Sequence, residues 1–127
     1  MENYSSKIYS SSRNLSPVER IAMKDLTDAI KFDDILFDDS TPAIVIEPET
    51  WAIIEIHNPK AEKEVYFAYV IISKDGDKYY TSSSAFWNSF TDIEREMEGE
   101  PFSIKVYKKE STNYKGKYFI TCSIILA

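Results

Sequence analysis

Lys105, Tyr107 and Lys109 sit at a two-residue step, and their types suggest a specific chemistry. On a β-strand, alternate residues share a face, so these three would line the side opposite Phe102, Ile104 and Val106. Two cations flanking a ring suit a ligand with regularly spaced anionic charge and exposed π-faces, such as a single nucleic-acid strand. The next apolar stretch repeats the scheme. Lys117, Phe119 and Thr121 are expected to face outward, while Tyr118, Ile120, Cys122, Ile124 and Leu126 face inward. Between them, the connection Glu110–Gly116 contributes Tyr114 and Lys115, another ring and cation beside a glycine. Tyr69 and Tyr80, on earlier strand-like segments, complete the candidate set for the other half of such a face.

Signals for catalysis are weak by comparison. His57 is the only histidine, so neither a His-rich metal site nor a double-histidine relay can be built. No Walker A, GxGxxG or G-x-S-x-G motif occurs, and the chain has only three glycines. The aspartate pairs 33/34 and 38/39 lack the glycine and the spacing of an EF-hand loop and read as a solvated acidic loop. Ser82-Ser83-Ser84 reads as a helix cap, and Cys122 is alone inside an apolar run, which excludes an intramolecular disulfide. The expectation is a non-enzymatic protein without metal or cofactor.

Charge distribution bears on the partner. The net charge of −6 opposes a polyanion, but residues 102–127 hold five lysines and one acid, a local +4. The first 101 residues hold ten basic and twenty acidic residues, −10 in all. Such asymmetry can place a basic surface on an acidic protein. No apolar run approaches the ~20 residues of a membrane span, so no membrane partner is expected. Met1-Glu2-Asn3-Tyr4 shows no basic segment leading into an apolar one, and a cytoplasmic location is the expectation (host cytoplasm, if phage-encoded).

The elements that would position these residues follow from periodicity. Residues 1–15 are serine-rich and read as a flexible N-terminal arm. Ser16-Pro17-Val18-Glu19 is a capping box opening a helix that runs to about Lys31, with Val18, Ile21, Ala22, Leu26, Ala29 and Ile30 as its apolar stripe. After a short extended piece, Ala43–Glu47, strands are expected over Thr50–His57, Glu64–Ser73 and Asp77–Thr81, the last two joined at Asp75-Gly76. A helix capped by one of Ser82, Ser83 or Ser84 buries Phe86, Phe90, Ile93 and Met97 and stops at Gly99-Glu100-Pro101. Phe102–Lys109 and Lys117–Leu126 are the last two strands. Three strands, a helix and two strands is the element order of an OB-fold, so residues 16–127 are expected to form a single, mainly β domain. It would be a five-stranded OB-like barrel, with the helix between strands three and four and an N-terminal helical extension.

The segments Trp51–Asn58 (WAIIEIHN), Tyr80–Phe90 (YTSSSAFWNSF), Glu96–Gly99 (EMEG) and Ile104–Ile124 (IKVYKKESTNYKGKYFITCSI) resemble the small single-stranded DNA-binding proteins of phages and mobile elements of Gram-positive bacteria. The resemblance spans roughly the last eighty residues and is one of pattern. It implies an OB-fold that coats DNA replication or recombination intermediates through basic and aromatic residues. Here the matching positions are Lys105, Tyr107, Lys109, Tyr114, Lys115, Lys117 and Phe119. It also implies replication or recombination proteins as partners, and an exposed sheet edge could support a homodimer or homotetramer. In one respect the chain departs from bacterial single-strand binders, which typically end in an acidic recruiting tail, whereas Ser123–Ala127 reads as strand. The acidic loop at 33–39 could substitute. The competing reading is an acidic protein-interaction module that inhibits or recruits a host DNA-processing enzyme, supported by the −10 segment.

Overall fold

A computed structural model describes residues 5–36, 40–60, 63–113 and 116–126. The element order is β1 (Ser5–Ser11), α1 (Pro17–Lys24), β2 (Ile30–Lys31), α2 (Phe32–Leu36), β3 (Ala43–Ile46), β4 (Pro48–His57), β5 (Val65–Ser73), β6 (Lys78–Thr81), α3 (Ser84–Met97), β7 (Ile104–Glu110) and β8 (Tyr118–Ile124). The protein is mainly β, as expected, but the expected barrel is not there. Among the described residues the strands form a five-stranded sheet, β1-β4-β5-β6-β2, and a separate three-stranded sheet, β3-β7-β8. The edges that barrel closure would have used are occupied by two strands absent from the sequence-based plan, β1 and β2, and by β3, which the plan held only as a short extended piece. β1 takes the free side of β4, β2 that of β6, and β3 that of β7. The chain divides into two compact units, Met1–Ile30 with Glu49–Ser82, and Lys31–Pro48 with Ser83–Ala127. Among the described residues no helix is long and apolar enough to cross a membrane.

In the first unit, β4 alternates as its sequence requires, burying Thr50, Ala52, Ile54 and Ile56. Ala68 and Val70 of β5 extend this face, and Leu15 and Met23 cover it. The serine-rich arm is not an arm over its described part. Residues 5–11 pair antiparallel with β4 from Ser5↔His57 to Ser11↔Ala52, with a bulge between Ile8 and Ser10. What ties it down is backbone hydrogen bonding, which composition does not register. Ser12 continues the pairing, its N–H donating to the Trp51 carbonyl at 3.0 Å and its Oγ accepting from the Trp51 N–H at 3.1 Å.

α1 starts where expected. The Ser16 Oγ accepts from the Glu19 N–H at 3.2 Å, and Glu19 Oε1 accepts from the Ser16 N–H at 2.9 Å. It ends seven residues early, because the Asp25 carboxylate accepts from the Thr27 N–H at 3.0 Å and folds the chain into a local turn. Shortening the helix changes its buried face. Met23 is buried, whereas Val18 and Ile21, two members of the expected stripe, are 76% and 68% exposed.

The second unit is built on rings. Ser83 is the N-cap of α3, its Oγ accepting from the Phe86 N–H at 3.2 Å. Phe86 and Phe90 stack at 5.9 Å and 10°, Trp87 stacks on Phe90 at 5.1 Å, and Phe32 of α2 meets Phe86 at 5.1 Å. Ile46, Ile104, Val106, Ile120 and Cys122 supply the buried side of the sheet. α3 ends through Glu98 and Gly99, both at positive φ, 49° and 88°.

Two outcomes follow. Phe90→Ala removes a fully buried ring and should cost about 3–5 kcal/mol, whereas Val18→Ser should change stability by no more than about 0.5 kcal/mol. Urea unfolding of both variants decides this; a large loss from Val18→Ser would mean that α1 buries the stripe the sequence suggested. The Arg13 guanidinium, 2.6 Å from Glu19, together with the Ser16 N–H, holds the Glu19 carboxyl down to about 2 from 4.5. Because the folded value is the lower one, its contribution is present above about 4.5 and lost as pH falls towards 2. The carbon-13 titration of Glu19 should therefore have its midpoint near 2 and move up in Arg13→Ala; a wild-type midpoint near 4.5 would contradict the pairing.

Candidate nucleic-acid interface

β7 and β8 pair antiparallel over their whole length, from Ile104↔Ile124 to Glu110↔Tyr118. Directly opposed residues share a face. One face therefore carries Lys105, Tyr107 and Lys109 of β7 beside Ser123, Thr121 and Phe119 of β8. β3 adds Val45 opposite Lys105 and Ala43 opposite Tyr107. The paired positions of β3, β7 and β8 on this face hold no carboxylate, and the exposed Glu47 continues the phase of Val45 just past the end of β3. The opposite face carries Ile104, Val106, Ile120, Cys122 and Ile46, all buried. The alternation expected for β7 is thus present, and it brings Lys105, Tyr107, Lys109 and Phe119 together on one surface.

Local contacts hold these side chains in place. The Tyr107 hydroxyl and Ser123 Oγ share a hydrogen bond of 2.9 Å, and Lys105 Nζ lies 5.4 Å from the centre of the Tyr107 ring. Lys109 is exposed directly opposite Phe119, which is 37% exposed. Lys117 is exposed just before β8, and its carbonyl accepts from the Ser111 N–H at 2.8 Å. Tyr114 and Lys115 lie outside the described residues.

Other expectations are redistributed. Thr121 was expected outward but is only 8% exposed, because its hydroxyl and that of Ser89 on α3 share a 3.0 Å hydrogen bond. Tyr118 was expected inward but is 54% exposed, because its partner in register is Glu110, past the end of the apolar run. Tyr69 and Tyr80 belong to the other sheet. Tyr80 packs against the apolar core of the first unit. Tyr69 is half-buried, and its phenol is held above its ordinary pKa by burial.

Two residues absent from the sequence-based set, Lys108 and Asp33, stand near this hairpin. Lys108 falls on the buried side of β7 by alternation, and its Nζ lies 5.3 Å from the centre of the Tyr118 ring. A lysine in phase with Ile104 and Val106 is the signal that could have found it. Asp33, on α2, is half-buried; Asp38 and Asp39 lie outside the described residues. No cluster of three or more potential metal ligands occurs among the described residues. His57 Nε2 lies 3.4 Å from Glu64. Burial pushes the Cys122 thiol up to about 12, which keeps it protonated and a poor nucleophile at neutral pH. Comparison with family models, curated proteins and solved structures returned no match to this chain.

Proposed function

We propose that the protein binds single-stranded DNA without extended sequence readout, through the open face of the β3-β7-β8 sheet. The observation that carries the reading is the cross-strand set Lys105, Tyr107, Lys109 and Phe119 on one face of the sheet. Alternate residues on a strand stand about 6.8 Å apart, so cations and rings recur along the sheet much as phosphates and bases recur along an extended strand. Duplex DNA presents its phosphates but keeps its base faces stacked, so the rings contribute only with a single strand. The acidic balance of the rest of the chain opposes general polyanion binding and makes the interaction local. The reading needs the hairpin and its register, not a closed OB barrel.

Titration of fluorescent oligo(dT) and a duplex of equal length over a range of salt tests this. Affinity for the single strand should fall linearly with log salt, with a slope of about −2 if Lys105, Lys109 and Lys117 each neutralise one phosphate. Tyr107→Ala and Phe119→Ala should each weaken binding by about 1–3 kcal/mol, whereas Tyr107→Phe keeps the ring and most of the affinity. Absence of binding at low salt, or equal affinity for the duplex, would refute the proposal.

A further inference from the structure

The first unit has a groove of about 420 Å³ between β1 and α1. Lys7 and Ile8 line it from the strand, and Pro17, Arg20, Ile21 and Lys24 from the helix. The four helix residues fall at i, i+3, i+4 and i+7, so one face of α1 presents apolar and cationic groups in turn. Val18 and Ile21 are both largely exposed. They belong to the apolar stripe that the short helix leaves uncovered.

The charge in the groove is not spent within the chain. Arg20 donates to the Leu15 carbonyl and Lys24 to the Ser6 carbonyl, both neutral acceptors, and each keeps further N–H donors. The neighbouring acids are engaged elsewhere: Glu19 with Arg13, Glu55 with Lys7, and Asp25 with the Thr27 N–H. Among the described residues no carboxylate lines the groove. A phosphate strand would satisfy Arg20 and Lys24 but leave Val18 and Ile21 in water, and no ring lines the groove to stack a base. An anionic bilayer would repel a chain of net charge −6. An acidic segment with an apolar side chain suits both halves.

The chain itself has such a segment at the C-terminal end of α3. Met97 is half-buried and stands between Glu96 and Glu98, both exposed, with Glu94 half-buried and Glu100 exposed. Arg95, within this stretch, lies 3.9 Å from Asp92. The glutamates crowd the negative end of the helix dipole, a placement that a cationic partner relieves. We propose that the groove between α1 and β1 docks the α3 end of a second copy of this chain. Val18 and Ile21 then cover Met97, and Arg20 and Lys24 meet the glutamates. The contact joins different surfaces on the two copies, so it is head-to-tail and can continue from chain to chain. It uses no residue of the sheet-face set and stands whether or not DNA binds that face.

Sedimentation velocity of the full chain without DNA tests it. Self-association should rise with protein concentration and weaken as salt screens the charges. Arg20→Glu with Lys24→Glu, and separately Glu96→Lys with Glu98→Lys, should each weaken it at least about tenfold, since both bring like charges together. Ile21→Ser should weaken it too, and every variant should keep the wild-type circular dichroism spectrum. Mixing the two charge-reversed proteins should restore association, because the native groove of one meets the native α3 end of the other. A chain that stays monomeric at low salt and high concentration would overturn the proposal. So would association that survives both charge reversals, or a mixture that fails to associate. A monomeric chain whose oligo(dT) affinity falls on Arg20→Glu with Lys24→Glu would assign the groove to phosphates instead.

Discussion

The register of β7 against β8 is the constraint on which the candidate site depends. Side chains alternate with a period of two, so a slip by one residue would exchange the two faces of β8 relative to β7. The observed register places Val106 opposite Cys122 and Ile104 opposite Ile124. It is fixed by the burial of Ile104, Val106, Ile120 and Cys122, which only one phase of the pairing can achieve together. The same phase leaves Lys105, Tyr107, Lys109 and Phe119 side by side. The apolar face thus determines the polar one, and the aromatic cluster of α3 stabilises the unit that contains both.

Order on the open face has an energetic consequence. Tyr107 is held at its hydroxyl by Ser123 and on its ring by Lys105, and each such exposed cation–π contact is worth about 0.5–1 kcal/mol. Side chains fixed before a ligand arrives lose less freedom on binding. The electrostatics are local for the same reason that the geometry is. A chain of net charge −6 gives little long-range attraction to a polyanion, so contact affinity must come from the few lysines next to the rings.

The sequence carried some of this plainly. Alternation in Ile104–Lys109 fixed the orientation of β7, Asp75-Gly76 marked a turn that the structure contains, and Ser82-Ser83-Ser84 marked a cap that the structure assigns to Ser83. Where apolar pattern was the guide, most elements were found. It failed at β1, whose Ser5–Ser11 sequence has little apolar content and is held by hydrogen bonds to β4. It failed again at α1, where an aspartate turn ended a helix whose apolar spacing continued. The barrel was lost in part through the same blind spot, because the two-residue β2 and the serine-rich β1 leave no strong hydrophobic signature, while β3 (AIVI) is apolar but its partner strand is not encoded in its pattern. At the site, Thr121 and Tyr118 departed from alternation because burial at a strand end depends on which neighbour covers it. A single sequence does not encode that neighbour legibly.

The central claim is that single-stranded DNA lies on the open face of β7 and β8. Ultraviolet crosslinking of bound oligo(dT), followed by peptide mapping, tests it most directly. The account predicts adducts at Tyr107 and Phe119, lost together when Lys105 and Lys109 are changed to glutamate. Adducts confined to the first unit, for example at the exposed rings of Tyr9 on β1 and Phe67 on β5, which meet edge to face, would contradict it.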